Sequence, residues 1–176
     1  MLQPAVGRLL VSSPVLEDSN FARTVVLIGA HSDEGTFGVV VNRPLEAEPT
    51  VELADWIPLL APPVTLFSGG PVSPESVLGL GTGGGGEGVI DDELAMMNLG
   101  EAPADDVGSV RLFVGHAGWK AGQLAGELAS EAWFVVHRAP GDIFSAEPEL
   151  LWGNVLRRQR GDLKLVSFYP RDLSSN

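Results

Sequence analysis

Three histidines, a scatter of serines and one glycine-rich stretch are the raw material from which this chain could build a catalytic or cofactor site. His31, His116 and His137 lie far apart, and none has a second histidine or a carboxylate at the HxxxH or HExxH spacing that puts two ligands on one helix face. With no cysteine, disulfides, thiolate metal sites and cysteine nucleophiles are excluded. Asp91, Asp92 and Glu93 lack the alternating oxygen donors and placed glycine of a calcium loop and read as a solvated acidic turn. Gly79, Gly81 and Gly84 fit G-x-G-x-x-G after a strand. The acidic EGVIDDE follows them instead of a helix that could meet a pyrophosphate, and no G-K-[ST] is present. The expectation is no metal, no cofactor and no complete catalytic set.

Two polar positions stand apart from these failures. Ser68 precedes Gly69 and Gly70, whose backbone amides could cradle an anion, although a plain turn explains the same residues. It lacks the G-x-S-x-G context that strains a serine into a nucleophile. His116 follows the apolar run VRLFVG, where an imidazole acts either as a base or as a strand-end group bonded to backbone.

Charge bears on partners. The formal net charge is −12, and no Lys or Arg occurs between Arg43 and Arg111, an interval holding 12 of the 23 acids. Such a surface repels phosphate backbones and anionic membranes at long range. Arg157, Arg158, Arg160 and Lys164 make the one basic cluster, at the C-terminal end of a predicted helix where the macrodipole already favours cations. Direct nucleic-acid binding is therefore not expected. The opening MLQPAVGRLLVSSP has no apolar run of signal-peptide length, and no stretch approaches a membrane span, so the expected location is cytoplasmic, without membrane attachment.

The elements that must hold these residues follow from periodicity. At 176 residues, with 44% hydrophobic and 19% charged residues, the chain reads as one globular domain over 1–176. RLLVS, TVVLIG and TFGVVVN read as strands, the last two forming a hairpin around HSDEG and ending at Asn42, Arg43 and Pro44. VELADWIPLL reads as a short helix stopped before Pro58, and VTLFS as a buried strand running into the Gly69-Gly70-Pro71 turn. SVLGLG is a further strand. TGGGGEG, 82–88, reads as a flexible loop.

VRLFVG (110–115), a helix from about Gly122 to Glu131 and the strand AWFVVH suggest a crossover unit with a parallel pair. PELLWGNVLRRQRG reads as a helix turning Leu150, Leu151, Val155 and Leu156 to the core. The class is α+β with a mixed sheet.

The block GRLLVSSPVLEDSNFARTVVLIGAHSDEGTFGVVVNRP, then FSGGPV, then VGHAGWKAGQLAGELASEAWFVV, with DIF and LW beyond, resembles the YqgE/AlgH family of uncharacterised bacterial proteins over nearly the whole chain. That resemblance implies a branched, mixed sheet curled into a partial barrel with flanking helices, and a family association with transcriptional regulation. Its matching polar positions are Asp18, His31, Asn42, Arg43, Gln123 and Glu127. The matching turn and packing residues are Gly69, Gly70, Pro71, Gly118, Trp119 and Gly122. This chain departs from the family pattern in three places. It lacks the histidine often found after the strand read here as VLGLG, has His116 for the aromatic before AGW, and has GQLA with Ala125 for GQLE.

The function expected on these grounds is a non-catalytic binding or regulatory domain taking a small ligand or a protein partner, as a monomer by default. Its patch would comprise Asn42, Arg43, Ser68, Gly69, Gly70, His116, Trp119, Gln123 and Glu127, because loops at strand ends tend to carry function. The competing reading makes NRP, GGP and AGW simply the hard turns of the fold. The alternative function is a hydrolase or transferase with His116 or Glu127 as base and Arg43 as anion clamp, which requires the three to converge in one pocket.

Overall fold

Short runs of valine, leucine and isoleucine become strands here because alternate side chains enter two different cores. A computed structural model describes residues 2–84 and 88–171. Its strands are β1 (Leu9–Ser12), β2 (Val25–Ser32), β3 (Gly35–Val40), β4 (Phe67–Ser68), β5 (Val72–Gly81), β6 (Ala95–Met97), β7 (Val110–Lys120) and β8 (Trp133–Val136). They form one sheet in the order β6-β5-β7-β3-β2-β1-β8, with β4 branching off against β7. All neighbours on that path are antiparallel, while the β4–β7 pair is parallel.

Leu9 and Val11 of β1, Val25 and Leu27 of β2 and Val39 of β3 point into one core, where they meet Trp152, Val155 and Leu156. The intervening Leu10, Val26, Ile28 and Val40 enter a second core with Trp119, Leu124 and Trp133. The period-2 alternation of strands thus places the two cores on opposite faces. Helix α1 (Gln123–Ala129) packs on the second face; α2 (Leu151–Arg157) and α3 (Asp162–Val166) pack against the first. A third cluster joins Leu53, Trp56 and Leu60 to Val110 and Leu112.

The first core contains Leu80 and Leu94 from one end of the sheet and Val136 and Ile143 from the other, so the sheet bends around it. It does not close into a barrel, because its end strands β6 and β8 are not hydrogen-bonded to each other. The α+β class and the branched, partly curled sheet are as expected.

Several local expectations need correction. The segment β7-α1-β8 is a crossover, but β8 pairs with β1, three strands away from β7; the parallel pair comes from β4 instead. Val51–Leu59 is a 3-10 helix that contains Pro58 rather than ending before it. VTLFS contributes only Phe67–Ser68. Leu150 is 45% exposed and outside the core, while Leu151, Val155 and Leu156 are buried as expected. Helix α1 is shorter than its pattern suggested, starting after Gly122 in a left-handed conformation. Of the glycine-rich loop 82–88, residues 85–87 lie outside the described residues; Gly84 N–H donates to Asp106 Oδ2 at 3.0 Å.

His116, Ala117, Gly118 and Trp119 do not end a strand: they lie within β7, which runs on to Lys120. The glycine that misleads is Gly115, whose φ of 74° reverses the side-chain alternation midway along the strand. Leu112 precedes it in the third cluster, and Ala117 and Trp119 follow it into the second core.

One glycine has no such task. Gly126 lies in α1, is exposed, and a Cβ added there meets nothing within 4 Å. Gly126→Ala is expected to raise stability by about 1 kcal/mol through the lower entropy of its unfolded chain, read as a melting point higher by about 2–4 °C.

Candidate functional site

The β2–β3 hairpin turns at Asp33 and Glu34, with Ser32 opposite Gly35, and beyond a bulge Val26 faces Val40. Continuing that register past the strand ends brings Arg23 across from Arg43. Asn42 completes the ladder with its side chain: Oδ1 accepts from Val25 N–H at 2.9 Å, and Nδ2 donates to the Arg23 carbonyl at 3.0 Å.

The guanidinium of Arg43 then holds the loop before β2. It donates to the carbonyls of Ser19 (3.0 Å), Asn20 (2.7 Å) and Ala22 (2.8 Å). Asp18 shapes that loop, accepting Asn20 N–H on Oδ1 and the amides of Phe21 and Ala22 on its carbonyl. Partial burial pulls the Arg43 pKa below the ordinary arginine value, and the nearby Asp18 carboxylate opposes that shift. Asp18, Asn42 and Arg43 are thus one assembly.

Arg23 sits at φ 53°, a left-handed conformation uncommon for a side-chain-bearing residue. Its guanidinium stacks 4.0 Å from the centre of the Trp152 ring and donates to the Tyr169 carbonyl at 3.0 Å. Burial, and then the like charge of Arg171, lower its pKa from the usual arginine value. Arg23, Arg43 and Arg171 line one cleft of about 670 Å³ with Ser68, Trp152 and Glu149. A niche of about 80 Å³ shares Arg43 and Ser68 with it and adds Asn20 and Gly70.

Side-chain ion pairs among the described residues join Arg138 to Asp91 and Arg158 to Asp142 (2.6 Å). None involves the three arginines of the cleft. Chemically the cleft offers guanidinium donors whose described partners are neutral carbonyls and an aromatic ring, beside a serine hydroxyl, which suits an anion.

The floor is a backbone crossing. Ser68 N–H donates to Arg43 O, Gly69 N–H to Val114 O and Val40 N–H to Gly69 O, each at 2.8 Å. A Cβ on Gly69 would lie 2.3 Å from Gly115 O, and one on Gly70 the same distance from His116 O. These glycines are required by close approach of two chains.

The expected patch therefore divides. Asn42, Arg43, Ser68, Gly69 and Gly70 come together at the cleft or its floor. His116 touches Gly70 through its backbone, while its ring packs on Phe37 with centroids 4.8 Å apart. Trp119 packs edge-on against Trp133 in the second core, and Gln123 Oε1 accepts Lys120 N–H at 3.0 Å. Glu127 Oε1 accepts the Trp133 indole N–H at 3.3 Å, and its Oε2 is buried without a hydrogen-bond partner among the described residues. His116, Glu127 and Arg43 thus have three separate surroundings, and the convergence required of a base and its anion clamp is not formed.

Two of the four C-terminal cations are also engaged. Arg158 pairs with Asp142, and Arg157 donates to Asn154 Oδ1. Elsewhere, a 330 Å³ concavity has Arg138 on its wall, already paired with Asp91, and a 450 Å³ one beside α1 has His31, bonded to Thr36 Oγ1 at 2.7 Å.

Sequence reasoning missed Arg23 and Arg171. A signal for Arg23 existed, since Arg23 and Arg43 flank the hairpin at nearly equal distances from its tip. Arg171 joins through the tertiary fold alone. Also missed was Arg111, 1% exposed and in neither of the described ion pairs, which donates to the carbonyls of Ile143, Ser145, Ala61 and Pro62.

The AlgH-like family model matches residues 9–164. A UPF0301 protein of Streptomyces coelicolor is 46% identical, the match covering 97% of this chain and 94% of that protein. One of Thermobifida fusca is 38% identical over the same shares. The crystal structure of protein DIP2367 from Corynebacterium diphtheriae superposes with a TM-score of 0.87 at 36% identity, covering 96% of this chain and 94% of that one. The solution structure of AlgH from Pseudomonas aeruginosa, UPF0301, gives 0.69 at 27% identity, covering 97% and 98%. With a family model spanning all eight of its described strands and relatives matched over nearly their whole length, this chain belongs to the AlgH-like, UPF0301 family.

Proposed function

We propose that this chain is a non-catalytic ligand-binding domain whose site is the cleft beside the β2–β3 hairpin, and that its ligand is a small anion. One observation carries the reading: three guanidiniums, none paired with a described carboxylate, line one cleft of a chain whose net charge is −12. Cations that serve only stability are free to pair with the abundant acids; the hydrogen bonds described for these go instead to neutral carbonyls. A concave site of this volume suits a small molecule better than a protein surface.

Any regulatory effect then passes through ligand occupancy rather than through contact with DNA. The acidic interval repels a phosphate backbone, and two of the four C-terminal cations are committed to Asp142 and Asn154. The test is a thermal-shift panel of small anions against neutral and cationic metabolites. A cleft ligand at 100 times its Kd adds about 2.7 kcal/mol, which raises the melting point by roughly 5–10 °C. A panel in which neutral or cationic compounds stabilise and anions do not would sink the reading.

A further inference from the structure

We propose that the group recognised in this cleft is a phosphomonoester of a small molecule, its phosphoryl oxygens seated in the niche between Arg43 and Ser68 and its charge shared with Arg23 and Arg171. The inference rests on the anion-binding reading above and narrows it by charge and shape. Three guanidiniums and the carboxylate of Glu149 line the cleft. With the Asp18 carboxylate acting on Arg43 from outside the lining, the cleft still carries net positive charge, spread over three guanidiniums, and a phosphomonoester, doubly charged near neutral pH, can meet more than one of them. A monocarboxylate would leave Arg23 and Arg171, close enough to repel each other, without compensation.

The donor geometry points the same way. The Arg43 guanidinium is held by three contacts to loop carbonyls, which orient its remaining N–H groups without neutralising its charge. The niche of about 80 Å³ at Arg43 is lined also by Asn20, Ser68 and Gly70, so the Asn20 and Ser68 side chains border it beside the guanidinium, as suits a group with several acceptor oxygens. The larger cleft continues past Leu45 and Trp152, leaving room for the body of the ligand.

The experiment follows backbone amides and arginine Nε–H resonances of the full chain by NMR while inorganic phosphate, and separately malonate, is added at pH 7.5. Saturable shifts at Asn20, Ser68, Arg23 and Arg43 with phosphate, several-fold tighter than with malonate, are the expected result. Arg171→Gln should weaken phosphate about twofold to fivefold, the loss of one solvent-facing charge-assisted contact. Arg160→Gln, which removes an exposed cation of the C-terminal cluster, should leave it unchanged. Malonate binding as tightly as phosphate would overturn the phosphoryl assignment and leave the anion site standing. Equal weakening by both variants would overturn the role of the cleft arginines, as a response to net charge alone. No cleft shift with either anion would remove the anion site and this inference together.

Discussion

Gly70→Ala is expected to lower stability by about 4 kcal/mol, which for a chain of this size drops the melting point by roughly 8–16 °C. Two effects add at this position. Gly70 has φ 143°, which strains any side chain, and the new Cβ would lie 2.3 Å from both the carbonyl carbon and oxygen of His116 and 2.7 Å from Ala117 N. These are backbone atoms of the central strand β7 and cannot rotate away. Gly115 is the reciprocal half of the contact, since its own Cβ would meet Gly70 O at 2.3 Å. Far-UV circular dichroism through a thermal ramp measures the change. A melting point within about 3 °C of the parent would mean that the two chains separate easily at this crossing.

Arg111→Met should cost about 3 kcal/mol, and here two effects compete. The guanidinium is buried with no ion pair among the described residues, and desolvation lowers its pKa to about 10, so a neutral side chain relieves an unfavourable burial. Against that, methionine leaves the carbonyls of Ala61, Pro62, Ile143 and Ser145 without their donor, at about 1 kcal/mol each, and removes the stacking on Phe67, where Cζ lies 4.3 Å from the ring centre. The lost bonds outweigh the gain because they are four and the charge is one. Hydrogen–deuterium exchange should rise together around 61–66 and 143–151, the two segments tied to β7 by this side chain. A fall in stability with exchange there unchanged would contradict the tether. Arg111→Lys should destabilise nearly as much, since a single ammonium cannot span both segments as the planar fork does.

How much of this was legible in the sequence depended on whether the cause was local. The hairpin strands β2 and β3 announced themselves through β-branched runs and a polar turn, and Asn42-Arg43-Pro44 marked their end because proline cannot continue a ladder. Leu124 and Leu128 at helical spacing found α1. What failed was the meaning of glycine. Glycine in a turn and glycine at a close backbone crossing look identical in one dimension, so the strand was ended at 115 and AGW weighed as a turn, although β7 continues to Lys120 through a reversal at Gly115. The parallel pair was assigned to the wrong strands for a related reason, since a two-residue strand such as β4 has no period to detect.

The candidate site divided along the same line. Asn42, Arg43 and Ser68 were visible as polar residues at strand ends. Trp119, Gln123 and Glu127 looked equivalent to them yet sit around α1, on the opposite face of the sheet from α2. Arg171 reaches the cleft only through the packing of the C-terminal segment, which no local pattern encodes.

The branch at β4 has a consequence for how the cleft behaves. Its floor is bonded on one side to Val40, the last residue of β3, and to Arg43, and on the other to the middle of β7, so Ser68 and Arg43 cannot move apart without breaking backbone bonds of the sheet. The Arg43 side of the site is thus preorganised, and a ligand would meet Arg43 and Ser68 already in place. Association should then be a single step, with little ordering entropy to offset and no slow conformational phase.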